Sequence, residues 1–191
     1  VKLVNRSDHL WTPKQAALIF ANATDLRADK HGTLTVYVGK LRGREFVAAF
    51  TDSSVSGGSY GYVECQALTN VLQKTIHTQA VILLFIDSGG ARVTEGLKAV
   101  GAFRSLFKVF LTAREENVPI YAILGRNCFG GASMLASCCH KVYGNKNTRF
   151  GMSGPKIIEN MNPSARFKSA KDSDVTNLLG AESRAVCNVI D

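Results

Sequence analysis

Three times along this chain an apolar, strand-like run stops at a pair of glycines and gives way to a helical pattern. The run Arg44 to Thr51 is followed by Ser56-Gly57-Gly58-Ser59, then by helical spacing through Tyr62, Leu68 and Leu72. Ala80 to Ile86 leads into Asp87-Ser88-Gly89-Gly90-Ala91-Arg92, and Pro119 to Leu124 leads into Phe129-Gly130-Gly131-Ala132, with small and apolar residues through Cys139. Gly57, Gly89 and Gly130 stand 32 and 41 positions apart, an interval typical of stacked supersecondary units. Repetition of strand, Gly-Gly and helix predicts one α/β architecture built from a recurring module.

The same punctuation carries chemistry. Where a strand turns into a helix, main-chain N–H groups point outward without acceptors, and the helix dipole adds partial positive charge there. Glycine permits positive φ and lets a ligand come close to the backbone. An isolated Gly-Gly is most often just a turn. Three in one grammar point to main-chain amides that stabilise an anion.

In chain order, Thr12-Pro13 reads as a helix start, and Ala16, Ala17, Ile19 and Phe20 give Pro13 to Asn22 the stripe of an amphipathic arm. The segment 1–30 is therefore expected to be an N-terminal helical arm ahead of a domain spanning 31–191. Asp29 to Gly32 is a turn; Thr33 to Gly39 and Glu45 to Phe50 form a hairpin. The helix after Arg92 is the longest element, with Leu97, Val100, Phe103, Phe107, Phe110 and Leu111 at helical spacing and Asn117 and Pro119 as stop signals. Lys141 to Tyr143 and Thr148 to Met152 are short strands, and Ser153-Gly154-Pro155 opens a helix to about Met161. The polar stretch Lys168 to Asp174 reads as a mobile loop before a last unit from Leu178 to Ile190.

A length of 191 residues supports one well-packed core. Five cysteines, at 65, 128, 138, 139 and 187, lack the paired short spacing of zinc ribbons, so buried free thiols and no metal site are expected. The net charge of +8 is spread over Lys40/Arg42/Arg44, Lys141/Lys146/Arg149 and Arg166/Lys168/Lys171. No aromatic residues interleave with them to stack bases, which argues against nucleic acid. A basic surface equally suits a phosphate-bearing cofactor arm or an acidic carrier protein. No apolar run approaches the roughly 20 residues of a membrane span. Val1 to Asp8 shows mixed charge rather than a signal-peptide core, so a cytoplasmic location is expected.

Phe85-Ile86-Asp87-Ser88-Gly89-Gly90-Ala91-Arg92, Phe129-Gly130-Gly131-Ala132-Ser133 and Arg149-Phe150-Gly151-Met152-Ser153-Gly154-Pro155-Lys156-Ile157-Ile158-Glu159 resemble, in order, the carboxyltransferase branch of the crotonase-like superfamily. Within it they are most similar to the beta-subunit family of biotin-independent malonate decarboxylases. The resemblance runs from about Gly32 to the end and implies a crotonase-like (ClpP/crotonase) α/β spiral of ββα repeats. It further implies that backbone N–H groups from two separate turns hold a thioester oxygen as an enolate forms. The donors implied are Gly90 or Ala91 on the first turn and Gly130-Gly131 on the second. Gly57, Gly58, Ser88, Gly89, Arg92, Ser133, Ser153 and Gly154 are the implied substrate-binding positions. Tyr60, Ser133 and Ser153 are candidate polar helpers, although a hydroxyl beside a glycine turn is as readily a helix cap.

Hydratases of the superfamily use two glutamates, and the matching positions here are Met134 and Gly154, neither of which moves a proton. The resemblance therefore implies decarboxylation of a malonyl thioester to the acetyl thioester and CO2, with no tightly bound cofactor and a CoA-type phosphopantetheine arm as carrier. Implied partners are a homologous gamma-type carboxyltransferase subunit and an acyl carrier protein. Two alternatives stand beside this: the acyl-CoA-binding beta subunit of a biotin-dependent carboxyltransferase, and a non-catalytic acyl-binding or assembly subunit.

Overall fold

In the computed structural model, which describes residues 18–163 and 166–191, the strands join into one sheet. Its order is β1 (Thr24–His31), β2 (Leu34–Leu41), β3 (Arg44–Thr51), β4 (Val81–Ser88), β5 (Ile120–Phe129) and β6 (Lys141–Tyr143), with β7 (Arg149–Gly151) also pairing β5. The first three strands are an antiparallel meander; from β3 onward the pairing is parallel. Parallel neighbours need a crossover. The β3–β4 crossover carries α1 (Tyr62–Thr78), and the β4–β5 crossover carries α2 (Leu97–Glu115). Shorter helices follow: α3 (Gly131–Ser137), α4 (Pro155–Met161), α5 (Asp172–Leu179) and α6 (Ala181–Val186).

Both faces of the central strands are covered, as expected where parallel pairing begins. Val47, Ala49, Ile82, Leu84 and Ile86 face the helices, where they meet Leu68, Leu72, Phe103, Leu106 and Phe110. The alternate residues Phe46, Ala48, Phe50 and Phe85 turn to the other face and cluster with Phe20 and Tyr37. Phe50 and Phe85 stack at 4.0 Å between ring centroids, and Phe20 lies on Phe46 at 4.6 Å. Period-two alternation thus feeds two apolar layers from one sheet.

Parallel register places all three glycine turns at one end. Thr51, Ser88 and Phe129 are the carboxyl ends of β3, β4 and β5, the edge at which α/β sheets present loops to ligands. The hairpin carrying Lys40, Arg42 and Arg44 is at the opposite end, since β3 starts there and Phe46 pairs with Val81 at the start of β4. That basic cluster is therefore no cradle for an arm reaching the glycine turns.

Three expectations need correction. Thr24–His31 is a strand within the segment assigned to the helical arm. It is an edge strand carrying Asp25, Arg27, Asp29 and Lys30, so its charges blunt the edge and hide the alternation that marks a strand. The rest of the arm, 1–17, lies outside the described residues, while Phe20 is core. Half of the predicted mobile loop is α5, whose acidic first turn (Asp172, Asp174) complements the helix dipole and pairs with Lys171 at 2.9 Å. The thiols divide: Cys65, Cys128 and Cys139 are buried, Cys138 is half-buried and Cys187 is exposed. Among the described residues no helix is long and apolar enough to cross a membrane.

Phe110 is fully buried between α2 and the sheet. Phe110→Ala is expected to lower the unfolding free energy by about 3–5 kcal/mol, measured by urea denaturation.

Candidate active site

The glycine turns differ from one another in a way the sequence does not show. Ser56–Gly58 is a single 3-10 turn, and α1 begins four residues later, capped at Gly61. After Gly89-Gly90 the chain passes through a second 3-10 turn, Val93–Glu95, before α2 begins behind Gly96. Only Gly130-Gly131 stands directly at a helix start. The amides of the first two turns are therefore not aimed by helix ends.

Hydrogen bonds aim them instead. Ala91 forms an isolated parallel bridge with Tyr60: Tyr60 N donates to Gly90 O at 2.9 Å, and Arg92 N donates to Tyr60 O at 2.8 Å. All peptide bonds among the described residues are trans, so the Gly90 carbonyl and the Ala91 N–H in the same amide plane point in opposite directions. With the carbonyl held by Tyr60, the Ala91 N–H points away from Tyr60. In the second turn, Gly130 O accepts from Met134 N at 3.2 Å and from Ser133 Oγ at 2.8 Å, into α3. The Gly131 N–H consequently points back out of α3. Neither Ala91 N nor Gly131 N donates to a protein acceptor among the described residues.

The two turns touch. A Cβ on Gly90, whose φ is 104°, would lie 2.8 Å from Phe129 O and 3.4 Å from Gly130 Cα. One on Gly130, at φ 57°, would come within 3.6 Å of Gly90 Cα and 4.0 Å of Ala91 N. Glycine is thus favoured at Gly90 by both backbone conformation and close approach, and at Gly130 by its positive φ. A Cβ on Gly131 would meet the buried Phe103 ring at 2.7 Å, and Phe103 stacks on Tyr60 at 6.1 Å between centroids. One aromatic floor therefore underlies both turns.

Several implied substrate contacts are spent on structure. Gly90 N donates to Ser88 Oγ at 3.1 Å, so of the Gly90/Ala91 pair only Ala91 has a free donor; Gly130 N donates to Gly151 O at 3.2 Å. Ser88 is buried and its hydroxyl donates to Gly58 O at 2.7 Å, while Gly89 N donates to Gly57 O at 2.9 Å. Gly57, Gly58, Ser88 and Gly89 are thus joined to one another through Gly57 O, Gly58 O, Ser88 Oγ and Gly89 N. Ser133, 2% exposed, donates its hydroxyl back to Gly130 O at 2.8 Å. Tyr60 is buried with its hydroxyl 2.6 Å from Thr51 Oγ1, and burial pushes its phenol well up. Ser153 and Gly154 are half-buried and sit on the second turn: Gly154 packs on the Phe129 ring, and the preceding Met152 carbonyl is 3.9 Å from where a Gly130 Cβ would be.

Arg92 is turned inward. It donates to Ser59 O at 2.8 Å and to Glu95 Oε1 at 2.9 Å, and it pairs with Glu64. Glu64 is 0% exposed and also accepts from Thr33 N at 3.0 Å and Gly61 N at 2.9 Å. Burial works to raise the Glu64 carboxyl, but Arg92 and these amides outweigh it and hold the group below the usual glutamate range. Glu95 is likewise lowered, first by the Tyr62 N–H it accepts at 2.7 Å and then by Arg92. Glu64 and Glu95 were missed by sequence reasoning. Their signals were Glu64 standing three residues after the Gly61 cap and Glu95 three residues after Arg92.

Residues 6–185 match the carboxyl transferase domain family, and the chain belongs to it. Its fold is the crotonase-like fold of the carboxyltransferases. The chain is 31% identical over 148 residues, 76% of its length, to the methylmalonyl-CoA carboxyltransferase 12S subunit of Propionibacterium freudenreichii subsp. shermanii, covering 26% of that protein. It is 26% identical over 166 residues, 85% of its length, to the biotin-dependent acetyl-/propionyl-coenzyme A carboxylase beta6 subunit of Mycobacterium tuberculosis, covering 33% of that subunit. The chain thus spans about a quarter to a third of these curated relatives. Among solved structures it superposes, with TM-score 0.77 and 25% identity, on a Pseudomonas malonate decarboxylase hetero-tetramer in complex with malonate, covering 83% of this chain and 60% of that one. Together these place the chain among carboxyltransferase-type subunits related to malonate decarboxylase and transcarboxylase.

Because the Glu64 carboxyl is lower in the folded than in the unfolded chain, its stabilisation is complete above the ordinary glutamate value of 4.5 and is lost as pH falls below it. At pH 7, Glu64→Gln is expected to cost about 3 kcal/mol by removing the buried charge that Arg92 Nη2 faces and leaving Glu95 as its one carboxylate partner. In urea titrations from pH 7 to pH 3 the gap between the two proteins should narrow below about 4.5.

Proposed function

We propose that this chain is one crotonase-like subunit of a malonyl-thioester decarboxylase, in which the Ala91 and Gly131 N–H groups hold the thioester carbonyl oxygen. The observation that carries the proposal is that these two amides, on abutting turns, are directed away from their own protein acceptors. With the oxygen seated between them, the bond from Cα to the carboxylate breaks and its electron pair moves into the thioester as an enolate. CO2 departs, and a proton returned to Cα gives the acetyl thioester. Developing negative charge lies on the held oxygen, where prealigned donors are most effective.

The side chains around the turns support loss of CO2 over hydration. Met134 and Gly154 occupy the places of the hydratase glutamates, and Met134 is 43% exposed. The acidic groups near the turns are already bonded: Asp87 accepts from Ser53 Oγ and Asn127 N, each at 3.0 Å, while Glu64 and Glu95 hold Arg92. Decarboxylation needs no base to begin. We further propose that the carrier is a phosphopantetheine thioester, on CoA or on an acyl carrier protein, and that a homologous gamma-type subunit completes the site. The hetero-tetrameric malonate decarboxylase on which the chain superposes supports that partnership.

A second reading, carboxyl transfer from carboxybiotin to an acyl-CoA, is favoured by the 31% identity to the methylmalonyl-CoA carboxyltransferase subunit. It would use the same enolate in the reverse sense, and consumption of carboxybiotin rather than a proton distinguishes it.

Ala91→Pro deletes one donor without breaking any protein hydrogen bond given by Ala91 N. In the complex of the full chain with its gamma-type partner, kcat for CO2 release from malonyl thioester is expected to fall by about 10²–10³. Unchanged turnover in a variant with wild-type thermal stability would overturn the proposal.

A further inference from the structure

We infer that Glu64, Arg92 and Glu95 form a positioning clasp that sets the direction of the Ala91 N–H. The inference deepens the function proposed above and rests on it for its catalytic consequence. Its structural basis is independent of that function.

Two segments about thirty residues apart, 59–64 and 92–95, meet at the Arg92 guanidinium. Its Nη2 donates to Ser59 O at 2.8 Å and pairs with Glu64, its Nε donates to Ser59 Oγ at 3.3 Å, and its Nη1 donates to Glu95 Oε1 at 2.9 Å. Glu64 carries the linkage to the β1–β2 turn through Thr33 N and Thr33 Oγ1, at 3.0 and 3.3 Å. Both carboxylates then grip the start of α1, Glu64 through Gly61 N at 2.9 Å and Glu95 through Tyr62 N at 2.7 Å. Between these anchors lies Tyr60, whose two main-chain bonds to Gly90 O and Arg92 N orient the Ala91 amide. The side chain of Arg92 and its own N–H therefore clamp the same short segment, 59–62, from two sides.

Space has been left for these side chains. A Cβ on Gly32 would collide with the Glu64 carboxylate, and one on Gly61 with the Glu95 carboxylate. Two glycines are thus committed to admitting two carboxylates. A buried ion pair adds little net stability over an apolar replacement of the same volume, and its best-attested use is to fix one arrangement among several. Here the arrangement fixed is the register of residue 60 on residue 91. The planar fork of Arg92 spans Ser59, Glu64 and Glu95 at once, which a lysine ammonium cannot do.

The test compares Arg92→Lys, Glu95→Ala and Glu95→Gln with the wild type, using the full chain for amide spectra and its complex with the gamma-type partner for turnover. In 15N–1H correlation spectra the Ala91 signal is expected to shift or broaden in Arg92→Lys and Glu95→Ala and to return toward its wild-type position in Glu95→Gln, with Gly131 unmoved. With malonyl thioester, kcat is expected to fall by about ten- to a hundred-fold in the first two variants while KM stays within about twofold, because a misaligned donor is lost to the transition state more than to the bound substrate. Glu95 is half-buried, so its variants report even if Arg92→Lys fails to fold. An Ala91 signal that stays in place in Glu95→Ala overturns the clasp, whatever the turnover. Absence of turnover in the wild-type complex overturns the decarboxylase function instead, and the amide spectra then decide the clasp alone.

Discussion

A trans amide sends its carbonyl and its N–H in opposite directions, and the two main-chain bonds between Tyr60 and the Gly90–Arg92 segment convert that geometry into a fixed direction for the Ala91 N–H. Holding the Gly90 carbonyl on one side leaves the Ala91 N–H facing the other, away from Tyr60. The second turn reaches the same result by a different route, since the first N–H of a helix has no acceptor behind it. An amide aimed by a strand-like bridge and an amide aimed by a helix start thus stand on turns whose backbones meet at Gly90 and Gly130.

Rigidity at this point comes from both apolar and charged contacts. Phe103 lies against Gly131 and stacks on Tyr60, so a single ring from α2 supports both turns from the core side. From the other side, Arg92 and its two glutamates tie the Tyr60 segment to the β1–β2 turn and to the start of α1. Donors held in this way need not reorganise as charge develops, which is the condition under which backbone amides are most effective toward an oxyanion. The hydroxyls nearby, Ser88 and Ser133, serve the same end by closing turns.

Much of the fold was legible because its signals are local. The hairpin runs Thr33–Gly39 and Glu45–Phe50, the long helical stripe after Arg92, the Asn117 stop and Pro155 at a helix start all report on short-range geometry, and each element stands where expected. Thr24–His31 was not legible, because a charged edge strand buries almost nothing and shows no apolar period. The Asp172–Asp174 run read as a loop because acidic residues in a helix's first turn look, in sequence, like solvated chain. At the candidate site the glycine turns stand where expected, whereas Ser88, Gly89 and Arg92, implied as substrate-binding, direct polar groups into the protein. Whether a polar group near a turn is free or already bonded depends on partners 28 to 33 residues away, such as Glu64 and Ser59 for Arg92 and Gly58 for Ser88.

The sequence by itself determined the repeating strand, turn and helix and the glycines that punctuate them. These are properties of residue type and spacing, which backbone sterics and side-chain chemistry translate directly. Only the tertiary structure decided which amides are free. Parallel register brought the turns to one edge, the bridge to Tyr60 chose Ala91 over Gly90, and the path of Arg92 turned its charge inward to Glu64. Hydrogen bonds between distant segments are satisfied one donor at a time, and that allocation exists only once the chain has folded.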